Sequence, residues 1–122
     1  MDTISPKEVI EATPTRCPLT AALEAVGGRW SLITLYWLNG EPRGFNDLQR
    51  HMPSISHKVL SDTLRDLEAH ALVRREIRSH SPLRVEYALS EHGLSALPLI
   101  EAMRSWGHLH MAKSAQDRMT IR

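Results

Sequence analysis

The sequence predicts a mostly α, α+β fold in one domain, and three observations carry that reading. Apolar residues recur at helical spacing in a series of short segments between Leu19 and Leu67. Two of those segments are joined by the tight connection MPSIS, residues 52–56. After residue 71 the period switches from helical to alternating, and it returns to helical from Leu94 onward. The expected order is helix, helix, helix, helix, hairpin, helix.

Length and composition set the frame. With 122 residues and 42% hydrophobic content, the chain can bury one core but not two. We place the domain at residues 17–112, between a flexible N-terminal arm, 1–16, and a polar C-terminal tail, 113–122, expected to fray. The arm holds Pro6 and Pro14 and no sustained period, with a short turn expected around Lys7 to Ala12. No apolar stretch reaches the roughly 18–20 residues of a membrane span, and the first fifteen residues lack the pattern of a signal peptide. A cytoplasmic protein without a membrane partner is expected. Cys17 is the single cysteine, so an internal disulfide is excluded and any thiol chemistry joins two chains or a chain and a small molecule.

Each element has a local reason. Pro18 suits a first helical position with Cys17 as cap, and Leu19, Ala22, Leu23 and Val26 follow until Gly27-Gly28. From Arg29 to Leu38 apolar residues crowd every face, which marks a central core helix ended by Asn39-Gly40. Phe45, Leu48 and Met52 mark a third helix of about two turns, closed by Pro53. Ser56 is a good N-cap for a fourth helix reaching about His70, with an apolar stripe from Val59 or Leu60, Thr63 or Leu64, and Leu67. Its other face carries His57, Lys58, Ser61, Asp62 and Arg65. Leu72, Val73 and Ile77, the turn-rich SHSPL, and Val85, Tyr87 and Leu89 make a hairpin. Ser90 caps a long last helix, from Leu94 through Trp106 to Leu109, that continues despite Pro98.

Two short helices joined by a tight turn, the second with a polar outer face, make a helix-turn-helix, and the hairpin behind it makes a two-stranded wing. The expected architecture is a winged helix-turn-helix with a helix on either flank. The net charge is only +1, so any nucleic-acid surface must come from local clustering. Residues 73–84 supply it, with four arginines against one glutamate. Arginines on a wing reach phosphates or a narrow minor groove while the helix before them offers side chains to base edges. Alone, such a hairpin is equally a solvated edge kept soluble by charge; beside the helix-turn-helix it reads as half of a DNA site. The candidates on the recognition helix are Ser54, Ser56, His57, Lys58, Ser61 and Arg65, and on the wing Arg75, Arg78, His80 and Arg84.

CP at 17–18, GGRW at 27–30, GFNDLQRHMPSISHKVLSDTLRDLE at 44–68, LVRR at 72–75 and RVEYALSEHG at 84–93 together resemble the HxlR-type helix-turn-helix regulators, from Cys17 to about His110. The resemblance implies a homodimer whose terminal helices pack between subunits, with recognition helices in successive major grooves of a pseudo-palindromic operator. The expected dimer residues are Leu19, Leu23, Ile100, Met103, Trp106 and His110. Ser54 and Ala71 stand where the family usually has glycine, and His57 where it usually has glutamine. Some members use the cysteine of the CP motif to sense oxidants, quinones or aldehydes, and Cys17 matches it. A thiol at a helix N-terminus beside Arg16 is favoured as thiolate; the plain alternative is a small residue that caps and packs at a dimer interface.

Other chemistry is weakly supported. Trp30, Trp37 and Trp106 sit at core spacing, where packing is the ordinary role, with Trp106 expected to help the dimer. His108 and His110 fall on different helix faces, and no carboxylate or cysteine cluster completes a metal site. With no phosphate loop and no paired acid and base, neither an enzyme nor a cofactor is expected. The competing reading is a winged-helix module that binds a protein partner without DNA. Apolar residues on the outer face of residues 56–66 would favour it, and that face is polar.

Overall fold

The computed structural model describes residues 16–121, with side chains for 16–118. The expected arm and its turn at Lys7 to Ala12 lie outside the described residues, apart from Arg16. Helix α1 (Pro18–Val26) opens with Pro18 at its first position and Cys17 as an extended N-cap, and Gly27 closes it. It buries none of its residues within the chain.

Helix α2 (Ser31–Leu38) starts two residues later than the sequence suggests, with Trp30 at its N-cap. Leu35 and Leu38 are sealed in the core, whereas Ile33 is 38% exposed, so this helix is buried on one side rather than on every face. The buried Thr34 hydroxyl donates to the Trp30 carbonyl at 2.7 Å, which satisfies it locally.

Strand β1 (Arg43–Gly44) leads into helix α3 (Phe45–His51), and helix α4 (His57–Ala69), the expected recognition helix, follows. Ser56 caps α4 as expected, its hydroxyl accepting from the Val59 amide at 3.1 Å. The apolar stripe is Leu60, Leu64 and Leu67, all but inaccessible, while Val59 is 40% exposed. Each such leucine stabilises the fold by about 1.5–3 kcal/mol. The C-terminus of α4 is a Schellman motif: Leu72 N–H donates to the Leu67 carbonyl and Ala71 N–H to the Glu68 carbonyl, both at 2.9 Å. Ala71 therefore takes the left-handed conformation, φ 61°, that the family's usual glycine would adopt without strain.

Strands β2 (Val73–His80) and β3 (Leu83–Leu89) form the wing, antiparallel, with Val73 opposite Leu89 and Ile77 opposite Val85. A register shift between Ile77 and Ser79 leaves Arg78 as an extra residue. The sheet has three strands in the order β1-β3-β2, not the two expected. Arg43 and Gly44 pair with Tyr87 and Glu86, a two-residue strand too short to leave any alternation in the sequence.

The long last helix is also divided. Helix α5 (Glu91–Leu94) is capped by the Ser90 hydroxyl, and α6 (Leu97–Ile121) begins three residues later with Pro98 in its first turn. A proline there removes no hydrogen bond, so the break before it resolves the conflict that one continuous helix would have met. Helix α6 runs on to Ile121, through the segment whose composition suggests a frayed tail. The core gathers Leu35, Leu38, Leu48, Leu60, Leu64 and Leu67, with Ile100 from α6 and Leu89 from β3. Among the described residues no helix is long and apolar enough to cross a membrane.

Candidate nucleic-acid interface

The first helix-turn-helix member is held in place by an ion-paired hub that the sequence reading missed. Arg43 Nε donates to the Trp37 carbonyl at 2.6 Å, and its guanidinium pairs with Asp47 at 2.9 Å. Arg50 also reaches Asp47, at 3.2 Å. The hydrogen bond from Arg43 holds the Asp47 carboxyl below the usual aspartate range, against the opposing effect of desolvation. The arrangement ties α3 to both β1 and α2.

Ser54 in the turn, Ser56 at the cap, and His57, Lys58 and Arg65 on α4 are all exposed. Two of the six expected recognition residues differ in detail from the reading. His57 leans back on Phe45, ring centroids 4.5 Å apart, and Ser61 is half-buried rather than outward. Ser61 lines a polar cleft of about 280 Å³ between α4 and the wing, together with Arg65, Glu68, Arg75 and Tyr87. Lys58 and Arg65 converge on one carboxylate: Lys58 Nζ lies 2.8 Å and Arg65 NH1 3.2 Å from the two oxygens of Asp62. The hydrogen bond from Lys58 is the main reason that the Asp62 carboxyl is held below its ordinary value.

The wing is less uniformly basic than a count over residues 73–84 suggests, because Glu86 lies outside that window. Glu76 and Glu86 sit directly opposite each other, an unfavourable like-charge pair. Arg78 bridges both at 2.8 Å, and Arg74 reaches Glu76 at 3.1 Å. Arg75 and Arg84, by contrast, form no ion pair among the described residues. Arg75 shares the α4 cleft, Arg84 lies further out on β3, and His80 is exposed at the tip.

Cys17 is exposed and free. No side-chain hydrogen bond closes the cap geometrically, yet the neighbouring Thr20 and Leu19 amides at the open helix end hold the thiol below its ordinary pKa. Arg16, expected to assist, is instead paired with Glu24. Leu19 and Leu23 are 67% and 58% exposed, and Met103 and Trp106 54% and 63%. Trp106 stacks on His110, centroids 4.9 Å apart, while Trp30 and Trp37 pack against the core. Ile100 differs from the rest of the expected set: at 4% exposure it belongs to the chain's own core, and what it still shows lines an apolar hollow with Leu32, Ile33, Tyr36, Met103 and Arg104. No group of three His, Cys, Asp or Glu able to hold a metal occurs among the described residues.

A sequence profile described as HxlR-like helix-turn-helix matches residues 25–115. The chain belongs to this family. It is 42% identical over 93 residues to the uncharacterized HTH-type transcriptional regulator YdzF of Bacillus subtilis strain 168, covering 75% of this chain and 85% of YdzF. The oxidized form of the redox regulator HypR superposes with a TM-score of 0.72 at 37% identity, covering 75% of this chain and 95% of HypR. The quinone-bound form of YodB from B. subtilis superposes with a TM-score of 0.65 at 28% identity, covering 76% and 99%. This HxlR-type chain is thus a winged helix-turn-helix transcriptional regulator, and its relatives are regulators, not enzymes.

Three residues that matter to the interface escaped the sequence reading. Arg43 and Asp47, four apart across a strand-to-helix junction, carried only a weak ion-pair signal. Gly93 carried none: an added Cβ there would fall 2.1 Å from the Leu72 carbonyl oxygen, so glycine permits α5 to lie against the end of the recognition-helix loop.

Proposed function

We propose that the protein is a sequence-specific regulator that binds double-stranded DNA as a homodimer, with α4 in the major groove and the wing on the flanking backbone or minor groove of a pseudo-palindromic operator. The observation that carries this reading is the shared cleft: Arg65 from α4 and Arg75 from β2 line one polar hollow, so helix and wing present cationic groups to the same place. Membership of a helix-turn-helix regulator family supports it. Fluorescence anisotropy against duplex from upstream of the protein's own gene, at two salt concentrations and with a scrambled control, tests it. Tighter, salt-weakened binding to the native duplex is expected; equal or absent binding ends the proposal.

The dimer rests on exposed apolar surface. Helix α6, about 37 Å long at 1.5 Å per residue, leaves Met103, Trp106, Leu109 and Met111 open to solvent. A helix with so little of its own chain against it needs a partner, and a second copy supplies one. We further propose that Cys17 responds to a small electrophile or oxidant. The lowered thiol pKa and the likeness to HypR and to quinone-bound YodB support this. Cys17→Ser is expected to bind DNA normally and to lose any release by diamide or quinone, and an unchanged response removes the sensor role.

A further inference from the structure

The recognition helix carries a carboxylate at the centre of the face that must approach a polyanion. Asp62 is half exposed and lies between two cations on the same side of α4, one oxygen toward Lys58 and the other toward Arg65. Exposed pairs of this kind contribute little to stability, so helix strengthening is a weak reason for a negative charge at this position. Its electrostatic effect on a duplex is larger. The three side chains together present +1 rather than +2, and the carboxylate lies well within a Debye length, about 8–10 Å, of any phosphate that Lys58 or Arg65 could touch.

We propose that Asp62 is a specificity-determining residue of the DNA face, which holds Lys58 and Arg65 away from phosphates on unrelated duplex and so suppresses non-specific binding. The inference rests on the DNA-binding reading above and deepens it. On arbitrary sequence, a lysine or arginine that turns to a phosphate only exchanges one anion for another, and leaves Asp62 unpaired beside the backbone. The exchange is worthwhile only where base-edge contacts add to it, and that penalty on wrong sites is how repulsive elements create discrimination. Like any aspartate, Asp62 carries its charge throughout the neutral range. The wing repeats the device, since Glu76 and Glu86 occupy Arg78 and leave Arg75 and Arg84 as its cations without an ion pair among the described residues.

The test uses the full-length protein and a pool of random-sequence 30-bp duplexes, before and after several rounds of selection by the wild type. Asp62→Asn is expected to bind the unselected pool roughly five-fold more tightly and to steepen the dependence of log affinity on log salt by about 0.9, the equivalent of one more phosphate contact. Its affinity for the selected pool should rise less, so the ratio between the pools falls. Asp62→Glu, which keeps the charge, should restore the wild-type ratio and slope. Unchanged affinity and slope for Asp62→Asn on the unselected pool would overturn the proposal while leaving DNA binding intact. Weakened binding to the selected pool alone would overturn it too, because Asp62 would then be reading a base. A wild type that enriches no sequence would overturn both this role and the reading on which it rests.

Discussion

The Ser90 hydroxyl donates to the Ala71 carbonyl at 2.6 Å, across 19 positions of sequence, and the same oxygen accepts the Gly93 amide at 2.9 Å. One side chain thereby caps α5 and fastens it to the loop that ends the recognition helix. Ser90→Ala is expected to destabilise the fold by about 1–2 kcal/mol, the usual loss for a helix cap that makes a second bond. Gly93→Ala should cost about 2–3 kcal/mol, because its methyl group collides with the Leu72 carbonyl and the backbone has to move. Urea unfolding of both variants checks the pair, and wild-type stability for either would show that the α5 contact carries no weight.

Ala71 offers a change in the opposite direction. At φ 61° an L-residue with a Cβ is strained by about 1–2 kcal/mol, and glycine is not. Glycine also loosens the unfolded chain, which offsets about 0.4–1 kcal/mol of the gain. Ala71→Gly should therefore be more stable by about 0.5–1 kcal/mol, read as a higher urea midpoint with an unchanged slope.

Three of the wing arginines, Arg75, Arg78 and Arg84, should not behave alike. Arg75→Ala and Arg84→Ala are each expected to reduce the salt slope of DNA binding by about 0.9, whereas Arg78→Ala, whose guanidinium is already shared by two glutamates, should change it less. Lys58→Ala and Arg65→Ala should weaken binding, and Arg65→Ala should also alter sequence preference. Anisotropy titrations at four salt concentrations separate the slopes; equal slopes for Arg75→Ala, Arg84→Ala and Arg78→Ala would mean that the ion pairs dissolve on the DNA.

Asp47 predicts an acid limb. Its folded pKa is depressed, chiefly by the hydrogen bond from Arg43, so its contribution is complete above the unfolded value near 4 and disappears as pH falls through the folded one. Asp47→Asn should have a lower Tm at pH 7 and a shallower loss of Tm as the pH falls below about 4. Parallel pH curves for variant and wild type would show that other carboxylates set the acid stability.

Local features were legible. The Ser56 cap, the Leu60, Leu64 and Leu67 stripe, and the switch to alternation at Val73 depend on residues a few positions apart, and a sequence displays such spacings directly. Features that depend on distant approach were not. Strand β1 exists only because Tyr87 and Glu86 come beside it, and the need for Gly93 appears only once Leu72 lies above it. On the candidate site, Lys58, Arg65 and Arg78 were visible as charge. What hid was their neutralisation: Glu86 stands outside the basic window, and in the sequence Asp62 is only one more polar residue on the face. Ile100 shares a helix with Met103 and Trp106, and only the packing of α6 on α2 assigns it to the core.

The bridge that Arg78 makes between Glu76 and Glu86 has a mechanical side. Beyond Arg75 and Tyr87 the hairpin has little core beneath it, since Ile77 is 52% and Leu83 64% exposed. Its outer half is a cantilever held by the backbone ladder and by this charge bridge rather than by oil. Salt that screens phosphate contacts will soften this beam as well, so part of the ionic-strength dependence seen on DNA belongs to the finger and not to the grip. Amide exchange at Ile77 and Val85 in the free protein, followed across the same salt range, would read the two contributions apart.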